Sequence, residues 1–390
     1  MGALVAVAAR GGPGFVEVLR RTWDDGDAVL PLDPRLPAPV LRRLVTVLQP
    51  TTLETLGGTV DPALLDGIDG TRTLDGDALV VPTSGTTGEP KGVVLTHDAL
   101  AAHAAAVHDH LGATSSDRWL ACLPLAHIGG LGVVVRALVD GLGLEVHRGF
   151  DAGAVAGARE AGATLTSLVP TALDRVGADG FRWVVLGGSA DTVARRPANV
   201  VRTWGLTETG GGVVYDGRPL AGVEVAEVDG ELWVRSPTLA RGVRRADGST
   251  RDLRRPLPHD RGSTGWLATG DAGEVAADGT VTVRGRTDDM VVTGGENVWP
   301  DAVEAVLRRL PAVDQVAVAG RPDPEWGQRV VAWVVPVDHR PPPTLDGLRA
   351  AARAELPAYA APRELRLVDH LPRTPLGKVR RADLPDAAPD

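Results

Sequence analysis

Both lysines of this chain lie in segments rich in glycine, proline and threonine. Lys91 is part of PTSGTTGEPKG (residues 82–92) and Lys378 is part of LPRTPLGKVRR (residues 371–381), and the chain has 41 basic residues in all. The lysine side chain ends in a compact, rotatable ammonium group, whereas the arginine side chain ends in a planar guanidinium group. An arginine-rich chain that keeps lysine at two such places indicates a chemical role for both, with chance placement as the alternative.

The segment before Lys91 has the composition of an anion-binding loop. Glycines allow backbone N–H groups to approach a phosphate closely, and hydroxyl side chains add further donors. The predicted loop residues are Thr83, Ser84, Gly85, Thr86, Thr87 and Gly88. This is not a Walker loop, because Pro90 precedes Lys91 and Gly92 follows it. A flexible surface turn is the alternative interpretation.

Three further motifs carry acidic or basic side chains next to glycine. In WGLTETGGG (residues 204–212), Glu208 is a candidate ligand for magnesium, which prefers oxygen ligands shared with phosphates. In ATGDAGEV, Asp271 follows a glycine, which predicts a turn, and an aspartate in a turn is usually structural. GRTDDMVVTGGENVWP combines Arg286 with paired acids and a second glycine pair. Each motif alone is a modest signal.

The elements that would position these residues alternate between strands and helices over residues 78–150. ALVVP and GVVLTH predict strands on both sides of the first loop. Asp98 is a candidate cap for a helix that runs to about His110. LACLPLA predicts a strand and GGLGVVVRALVDG a helix, and TLTSLVP, RWVVLGG and NVVRTWG predict three more short strands. This alternation predicts a parallel, wound sheet.

Downstream, the pattern changes to hairpins and then to a compact tail. Asp229-Gly230 and Asp278-Gly279 each interrupt an alternating run, which predicts two β-hairpins. After Arg286, a helix beginning at Pro300, a second helix after PPPTL and three strand-like runs predict a small domain. The fold class expected is α/β: a large N-terminal α/β domain over residues 1–286, with wound sheets and a β-hairpin region, and a small C-terminal α+β domain over residues 287–390.

Composition excludes several functional classes. The chain has 390 residues, 43% hydrophobic and 23% charged, and its net charge of −9 argues against a general nucleic-acid binder. Cys122 is the only cysteine, which excludes an internal disulfide and a cysteine-based metal site. The N-terminus lacks a basic region before its apolar run, and no apolar stretch reaches membrane-spanning length. We therefore expect a soluble, cytoplasmic protein with no membrane span; a homodimer is left open.

Taken in order, the motifs resemble those of the adenylate-forming superfamily, which includes acyl-CoA synthetases, adenylation domains and luciferase-like enzymes. The resemblance rests on TSGTTGEPKG, WGLTE, TGD, GRTDDMVVTGGENVWPDAVE and PRTPLGKVRR, and it spans roughly residues 78 to 382. It implies an adenylate-forming enzyme fold and an AMP-forming acid–thiol ligase. The substrates implied are a carboxylic acid, ATP and coenzyme A, with Mg²⁺ as the cofactor.

The resemblance also implies roles for individual residues. The first loop and Lys91 would surround the ATP phosphates, Thr207 and Glu208 would act at the magnesium, and Lys378 would be the catalytic lysine. Asp271 would bind the ribose hydroxyls, aided by Arg286, and Asp288 would be the hinge between the domains. Other residues implied at the nucleotide or at the pantetheine channel are Gly187, Gly188, Ser189, Trp204, Gly205, Gly294 and Gly295. Trp204 replaces the usual tyrosine and keeps an aromatic face for adenine.

Within the superfamily, two segments are most similar to the o-succinylbenzoate–CoA ligases of menaquinone biosynthesis. These are LACLPLAHIGGLGVVVRALVDG and RTWGLTETGGGVVYDGRPLAGVEV. The resemblance implies that His127 lies at the mouth of the acyl pocket, and Arg136 is our candidate for the substrate's second carboxylate. Another aryl or acyl acid, a carrier protein as the acceptor, and a nucleotide-binding protein without catalysis are the alternatives. The polar segment 244–264 matches no element.

Overall fold

The computed structural model describes residues 1–57, 60–84, 90–187, 196–260, 262–373 and 379–386. Within these residues the chain forms eight α-helices and twenty-three strands. The helices are α1 (Pro13–Asp24), α2 (Ala38–Leu48), α3 (His97–Leu111), α4 (Ile128–Val139), α5 (Ala152–Glu160), α6 (Pro170–Val176), α7 (Pro300–Leu307) and α8 (Leu345–Glu355). None of the described helices is both long and apolar enough to cross a membrane.

The strands fall into four sheets. Those of the first half of the chain are β1 (Leu4–Ala8), β2 (Ala28–Leu32), β3 (Thr52–Thr55), β4 (Asp77–Ser84), β5 (Pro90–Thr96), β6 (Arg118–Ala121), β7 (Gly143–Val146), β8 (Leu165–Leu168), β9 (Trp183–Leu186), β10 (Val200–Leu206), β11 (Gly211–Tyr215) and β12 (Arg218–Pro219). The others are β13 (Glu224–Val228), β14 (Glu231–Arg235), β15 (Gly242–Arg244), β16 (Thr250–Arg251), β17 (Leu267–Val275), β18 (Val281–Arg286), β19 (Val291–Thr293), β20 (Glu296–Val298), β21 (Val313–Asp323), β22 (Gly327–Pro336) and β23 (Glu364–Leu367).

Two seven-stranded sheets form the larger part of the molecule. The first has the order β16-β15-β5-β4-β2-β1-β3 and the second has the order β12-β11-β10-β9-β8-β6-β7. In the first sheet β1 pairs in parallel with β2 and β3. In the second sheet, β6 to β10 pair in parallel and β11 and β12 are antiparallel at the edge. The predicted wound sheets are confirmed, and the described strands form two of them.

The helices form layers around these sheets because most strands are buried on both faces. In β1, Val5 and Val7 join the large core that also contains residues of α1, α3 and α4, whereas Leu4 and Ala6 face α2. On the other side, residues of α5 and α6 pack against β8 and β9. A strand buried on both faces reads as a continuous apolar run, as LVAVA does. The result places α3 and α4 between the two sheets.

The later sheets are smaller. The third sheet, β13-β14-β17-β18, is antiparallel and contains both predicted hairpins. At the first turn Asp229 and Gly230 have φ of 51° and 83°, as expected of a two-residue hairpin turn. The last sheet begins at β19 and packs against α7 and α8. It has five strands rather than the three predicted, because β19 and β20 are too short to show an alternating pattern.

Two local predictions were wrong. The side chain of Thr96, not that of Asp98, caps α3, because the Thr96 hydroxyl accepts a hydrogen bond from the Ala99 N–H and Asp98 lies inside the first turn. Both residue types suit a cap, and the end of β5 at Thr96 decides between them. LACLPLA forms only the end of β6, and the chain leaves the sheet after Ala121.

The polar segment 244–264 supplies an edge to the first sheet. Its start forms the β15–β16 hairpin, and β15 pairs with β5. Arg244 is 3% exposed, and its guanidinium donates to backbone carbonyls, among them that of Leu48 at 2.8 Å. This buried arginine is structural: it joins β15 to the end of α2.

Candidate active site

One carboxylate connects three of the predicted nucleotide-site residues. The indole Nε1 of Trp204 donates to Oδ2 of Asp271 at 2.8 Å, and Nη1 of Arg286 donates to Oδ1 at 3.0 Å. Arg286 also donates to the carbonyl of Thr269 at 2.7 Å. Trp204 comes from β10 of the second sheet and the other two from the third sheet, so the site lies where these sheets meet. An ionised carboxylate has about four lone-pair positions, which leaves Asp271 acceptor capacity for a ligand hydroxyl.

The pairing of β17 with β18 places Asp271 directly opposite Arg286. Opposed residues in an antiparallel pair are close neighbours. Asp271 therefore lies within a strand, and the predicted turn at this position was wrong, because strand pairing overrides the local Gly-Asp signal. Gly270 has φ of 69°, and a Cβ there would lie 2.6 Å from the Arg286 guanidinium. The positive φ favours glycine at this position, whereas the guanidinium is the end of a flexible side chain that could move aside.

A rigid turn presents Glu208. After β10, which ends beyond Gly205, the chain forms the 3-10 helix Thr207–Thr209. The fully buried Thr209 hydroxyl accepts from the Leu206 N–H at 2.8 Å, and the Glu208 carbonyl accepts from the Ala240 N–H at 2.8 Å. In the part of the chain that the structure describes, the Glu208 carboxylate has no ion-pair partner. Glu208 lies next to Leu239, Ala240, Leu253, Arg254 and Leu267.

The donor set fits a magnesium ion that is shared with a phosphate substrate. Among the described residues, no group of three or more histidine, cysteine or acidic side chains is arranged to hold a metal. Magnesium usually keeps several waters and binds one or two carboxylates together with substrate phosphates. The carboxylate of Glu208, which has no ion-pair partner among the described residues, suits that arrangement, in which the protein supplies one ligand.

The predicted phosphate loop joins two paired strands. Thr83 at the end of β4 is opposite Lys91 in β5, and Ser84 is opposite Pro90. The pairing holds Lys91 at the base of the loop, with its side chain partly buried. Gly187 follows β9, and its N–H donates to the Leu168 carbonyl at 3.0 Å. The predicted residues outside the described ranges are Gly85, Thr86, Thr87, Gly88, Gly188, Ser189 and Lys378.

Among the described residues, the buried Arg136 has no counterion. The residue is 4% exposed, and within the described residues its guanidinium has no carboxylate partner. Nη2 donates to the Ser167 hydroxyl at 3.2 Å, Cζ lies 4.7 Å from the centroid of the Trp119 ring, and the buried Nε has no described hydrogen-bond partner. Burial lowers the pKa of Arg136 and raises that of the buried Tyr215 nearby. A buried charge is costly unless it is paired, so this geometry calls for an anion.

His127 lies at the N-terminal end of α4, the helix that also contains Arg136. It is the residue immediately before α4, which begins at Ile128, so it and Arg136 are about 13 Å apart along the axis. The two predicted acyl-pocket residues are therefore about two and a half helical turns apart along α4. Burial lowers the pKa of His127 to about 4, with Asp33 opposing that shift and Arg35 adding to it. The imidazole is neutral at physiological pH.

Several residues near these groups were missed from the sequence. They are Asp33, His103, Trp119, Ser167 and Thr209. His103 on α3 is 2% exposed and donates from Nε2 to the Gly212 carbonyl at 3.0 Å, and burial lowers its pKa to about 3. Thr209 had a usable local signal, because a threonine two residues after Thr207 is typical of a capped turn. The others are brought in by long-range packing.

Glycines 294 and 295 form a tight turn between β19 and β20. Their φ values are 60° and 84°, the left-handed conformation that two-residue hairpins require. A Cβ on Gly294 would lie 2.7 Å from the Trp326 ring, whereas nothing lies within 4 Å of one on Gly295. Gly294 is thus fixed by packing, and Gly295 faces open space.

Arg381 anchors the segment that follows Lys378. Its guanidinium donates to Asp289 at 2.8 Å and to Glu304 at 2.9 Å, and it also bonds to Asp301. Its Nε donates to the Val318 carbonyl at 3.1 Å. Asp289 belongs to the 3-10 helix Thr287–Asp289, which contains the predicted hinge. The three carboxylates raise the pKa of Arg381 despite its burial, so the cation is permanent.

Family comparison assigns the chain to a class. The profile of the AMP-binding enzyme family matches residues 70–243, and the profile of the AMP-binding enzyme C-terminal domain matches residues 302–378. The matched regions contain Thr83, Lys91, Glu208 and Lys378. The chain belongs to the AMP-binding enzyme family, as the motifs predicted.

Individual relatives and a solved structure specify which members of the family the chain is similar to. The chain is 41% identical over 372 residues to a probable 2-succinylbenzoate–CoA ligase of Mycobacterium tuberculosis, covering 87% of this chain and 94% of the relative. It is 32% identical over 359 residues to the 2-succinylbenzoate–CoA ligase of Listeria monocytogenes, covering 83% and 72%. The structure of o-succinylbenzoate CoA synthetase from Bacillus subtilis with its acyl-adenylate intermediate matches with a TM-score of 0.82 at 25% identity, covering 99% of this chain and 88% of that one.

Proposed function

We propose that this protein is an ATP-dependent, AMP-forming acid–CoA ligase and that its acid is o-succinylbenzoate. The observation that carries the choice of acid is the buried guanidinium of Arg136, which has no carboxylate partner in the described part of the chain. o-Succinylbenzoate has two carboxylates, and only the succinyl one reacts. The aromatic carboxylate needs a cationic partner inside the acyl pocket, and Arg136 is the residue we assign to it. The names of the relatives support the same substrate.

In the first step the succinyl carboxylate attacks the α-phosphorus of ATP, and pyrophosphate leaves. Two anions must approach each other, so the protein has to neutralise charge as it develops. We assign Lys91 and the loop after Thr83 to the leaving phosphates and Lys378 to the α-phosphate. Asp271 would accept hydrogen bonds from the ribose hydroxyls, and the Trp204 ring would cover adenine. The shared carboxylate contact of Trp204, Asp271 and Arg286 supports a common binding site.

In the second step the thiolate of coenzyme A attacks the acyl carbon of the adenylate, and AMP leaves. We propose that residues 287–390 rotate as a unit about Asp288. Lys378 would then leave the active site, and the channel for the thiol of coenzyme A would take its place. Gly294 and Gly295 would then line that channel. The position of the 3-10 helix Thr287–Asp289 between strands of two different sheets supports this hinge. A cytoplasmic location agrees with the requirement for ATP and coenzyme A.

The test of the proposed function is pyrophosphate release across a panel of carboxylic acids, with and without coenzyme A. We expect release with o-succinylbenzoate and continuous turnover only when coenzyme A is present. Preference for monocarboxylic aryl or acyl acids would replace the substrate assignment. Turnover that needs a phosphopantetheinylated carrier protein instead of coenzyme A would replace the acceptor.

Glu208→Gln should lower magnesium-dependent turnover by at least about 10-fold while the fold stays intact. A bound magnesium would neutralise phosphate charge, and an amide oxygen is a weaker ligand than a carboxylate. The measurement is initial rate against magnesium concentration, with thermal unfolding as the check on folding. Glu274→Gln is a matched control, because Glu274 is an exposed acid in β17 that pairs with Arg284. An unchanged magnesium dependence in Glu208→Gln would make Glu208 structural only.

Asp288→Pro should leave acyl-adenylate formation near normal and block thioester formation. Proline holds φ near −65°, which suits a 3-10 helix but prevents the rotation that a hinge requires. The two half-reactions are measured separately, by pyrophosphate release and by thioester yield. Asp288→Ala is the control, because it removes the carboxylate and leaves the backbone free. Normal rates of both steps in the proline variant would contradict the hinge position.

A further inference from the structure

A polar relay lies behind the Arg136 guanidinium. Trp119 in β6 is fully buried, and one face of its ring lies 4.7 Å from the Arg136 Cζ. The indole Nε1 of Trp119 donates to Nε2 of His108 at 2.9 Å, and Nδ1 of His108 bonds to the carboxylate of Asp140. The relay thus runs from the arginine to an acid in three contacts.

The chemistry of the indole fixes the protonation of the relay. An indole N–H only donates, so Nε2 of His108 must be the acceptor and the imidazole proton must be on Nδ1. That proton points to Asp140, which follows the last residue of α4 and lies four residues after Arg136. The relay therefore begins on α4, passes through β6 and α3, and ends at the residue that follows α4. The indole N–H and the imidazole N–H each have an acceptor, which holds the plane of the Trp119 ring.

A buried tryptophan needs a hydrogen-bond partner in any protein, and that requirement alone would explain the Trp119–His108 contact. That requirement does not explain why the Arg136 guanidinium lies over the Trp119 ring. Apart from the Ser167 hydroxyl, the ring of Trp119 is the stabilising contact that the structure gives the charged guanidinium among the described residues. A tryptophan face is the best aromatic partner for a desolvated cation.

We propose that Trp119 is a positioning residue for substrate selection: it holds Arg136 charged and oriented toward the acyl pocket before the acid binds, and His108 and Asp140 fix the ring. The inference rests on the proposed function, because it gives Arg136 the second carboxylate of the acid. It predicts an effect on recognition of a dicarboxylic acid and not on the chemical steps.

The test compares Trp119→Leu and Trp119→Phe with wild type in steady-state kinetics. Trp119→Leu should raise the KM for o-succinylbenzoate about 10- to 30-fold, with kcat and the KM for ATP within about 3-fold of wild type. Trp119→Phe keeps a ring face but loses the N–H, so its KM should lie between those of wild type and Trp119→Leu. A monocarboxylic aryl analogue should show little change in either variant. Trp23→Phe is the control, because it also removes an indole hydrogen bond, a partly buried one to Ala78 at 3.0 Å, outside this site.

His108 provides a second test that does not alter the ring. A glutamine amide can accept from the indole and donate to Asp140, whereas leucine can do neither. We expect His108→Leu to raise the KM for o-succinylbenzoate and His108→Gln to restore much of the loss. The inference is overturned if the dicarboxylic and monocarboxylic acids are affected alike, or if glutamine is no better than leucine. Thermal unfolding identifies variants that fail to fold, and Trp119→Phe then carries the comparison.

The outcomes separate this inference from the proposed function. If wild type does not prefer o-succinylbenzoate over its monocarboxylic analogue, the proposed function fails. If wild type is selective and Arg136→Ala loses that selectivity while the Trp119 and His108 variants keep it, only the positioning role is overturned.

Discussion

Lys378→Ala should slow acyl-adenylate formation at least about 100-fold and leave thioester formation from supplied acyl-adenylate close to wild type. The reason is that the lysine charge is needed only while the carboxylate approaches the α-phosphate. Once the adenylate exists, the thiol attacks a neutral acyl carbon. The two rates are measured as pyrophosphate release from ATP and as thioester formation from the synthetic adenylate.

Two further variants, one at Lys378 and one at Arg380, help to interpret this result. Lys378→Arg should rescue poorly, because a planar fork does not replace a compact point charge. Arg380→Ala is the matched control: it removes a positive charge two residues away whose side chain pairs with Asp383 at 2.8 Å. We expect near-normal rates from it. Equal damage to both half-reactions by Lys378→Ala would contradict a role confined to adenylation.

Arg136→Ala should raise the apparent KM for o-succinylbenzoate strongly and leave ATP binding unchanged. If the carboxylate and the guanidinium are both desolvated, the loss should be about 2–5 kcal/mol, because truncation leaves one charge buried and unpaired. A monocarboxylic aryl analogue should suffer much less. The measurement is kcat and KM for both acids, with ATP affinity determined separately.

The control for this prediction should keep the protein folded and the pocket unchanged. Arg175→Ala serves, because Arg175 also lies over an aromatic ring, that of Phe150 at 5.0 Å, but on α6 outside the acyl site. Arg136→Lys keeps the charge and loses the fork, and should fall between wild type and alanine. If Arg136→Ala affects both acids equally, the substrate assignment is wrong and a general acid–CoA ligase replaces it.

The sequence predicted best those features that local chemistry decides. The Asp229-Gly230 turn, the helix after His127 and the strands that enclose the first glycine loop depend on residues close together in the chain. Asp98 illustrates the limit of local reasoning, since threonine and aspartate both suit a helix cap and the end of β5 makes Thr96 the cap. The structure contains these predicted helices and strands, but some of their ends differ from the predicted ends.

The assembly of the site depended on contacts that no local pattern carries. Trp204 and Asp271 are 67 residues apart and meet because two different sheets adjoin. Family resemblance assigned both residues to the nucleotide site, and these roles stay predictions. Trp119 and His108 carried no motif at all, since a buried aromatic and a helical histidine are ordinary core residues until a charged neighbour is seen.

The ion pairs of Arg381 have a consequence for the catalytic cycle. Asp289, Asp301 and Glu304 all follow Asp288 in the chain, so a rotation about Asp288 would carry the arginine and its three acids together. These three ion pairs would then stay intact at each turnover, because their partners would move as one body. The energy needed to switch between the two half-reactions would depend on the joint between the domains and not on these ion pairs.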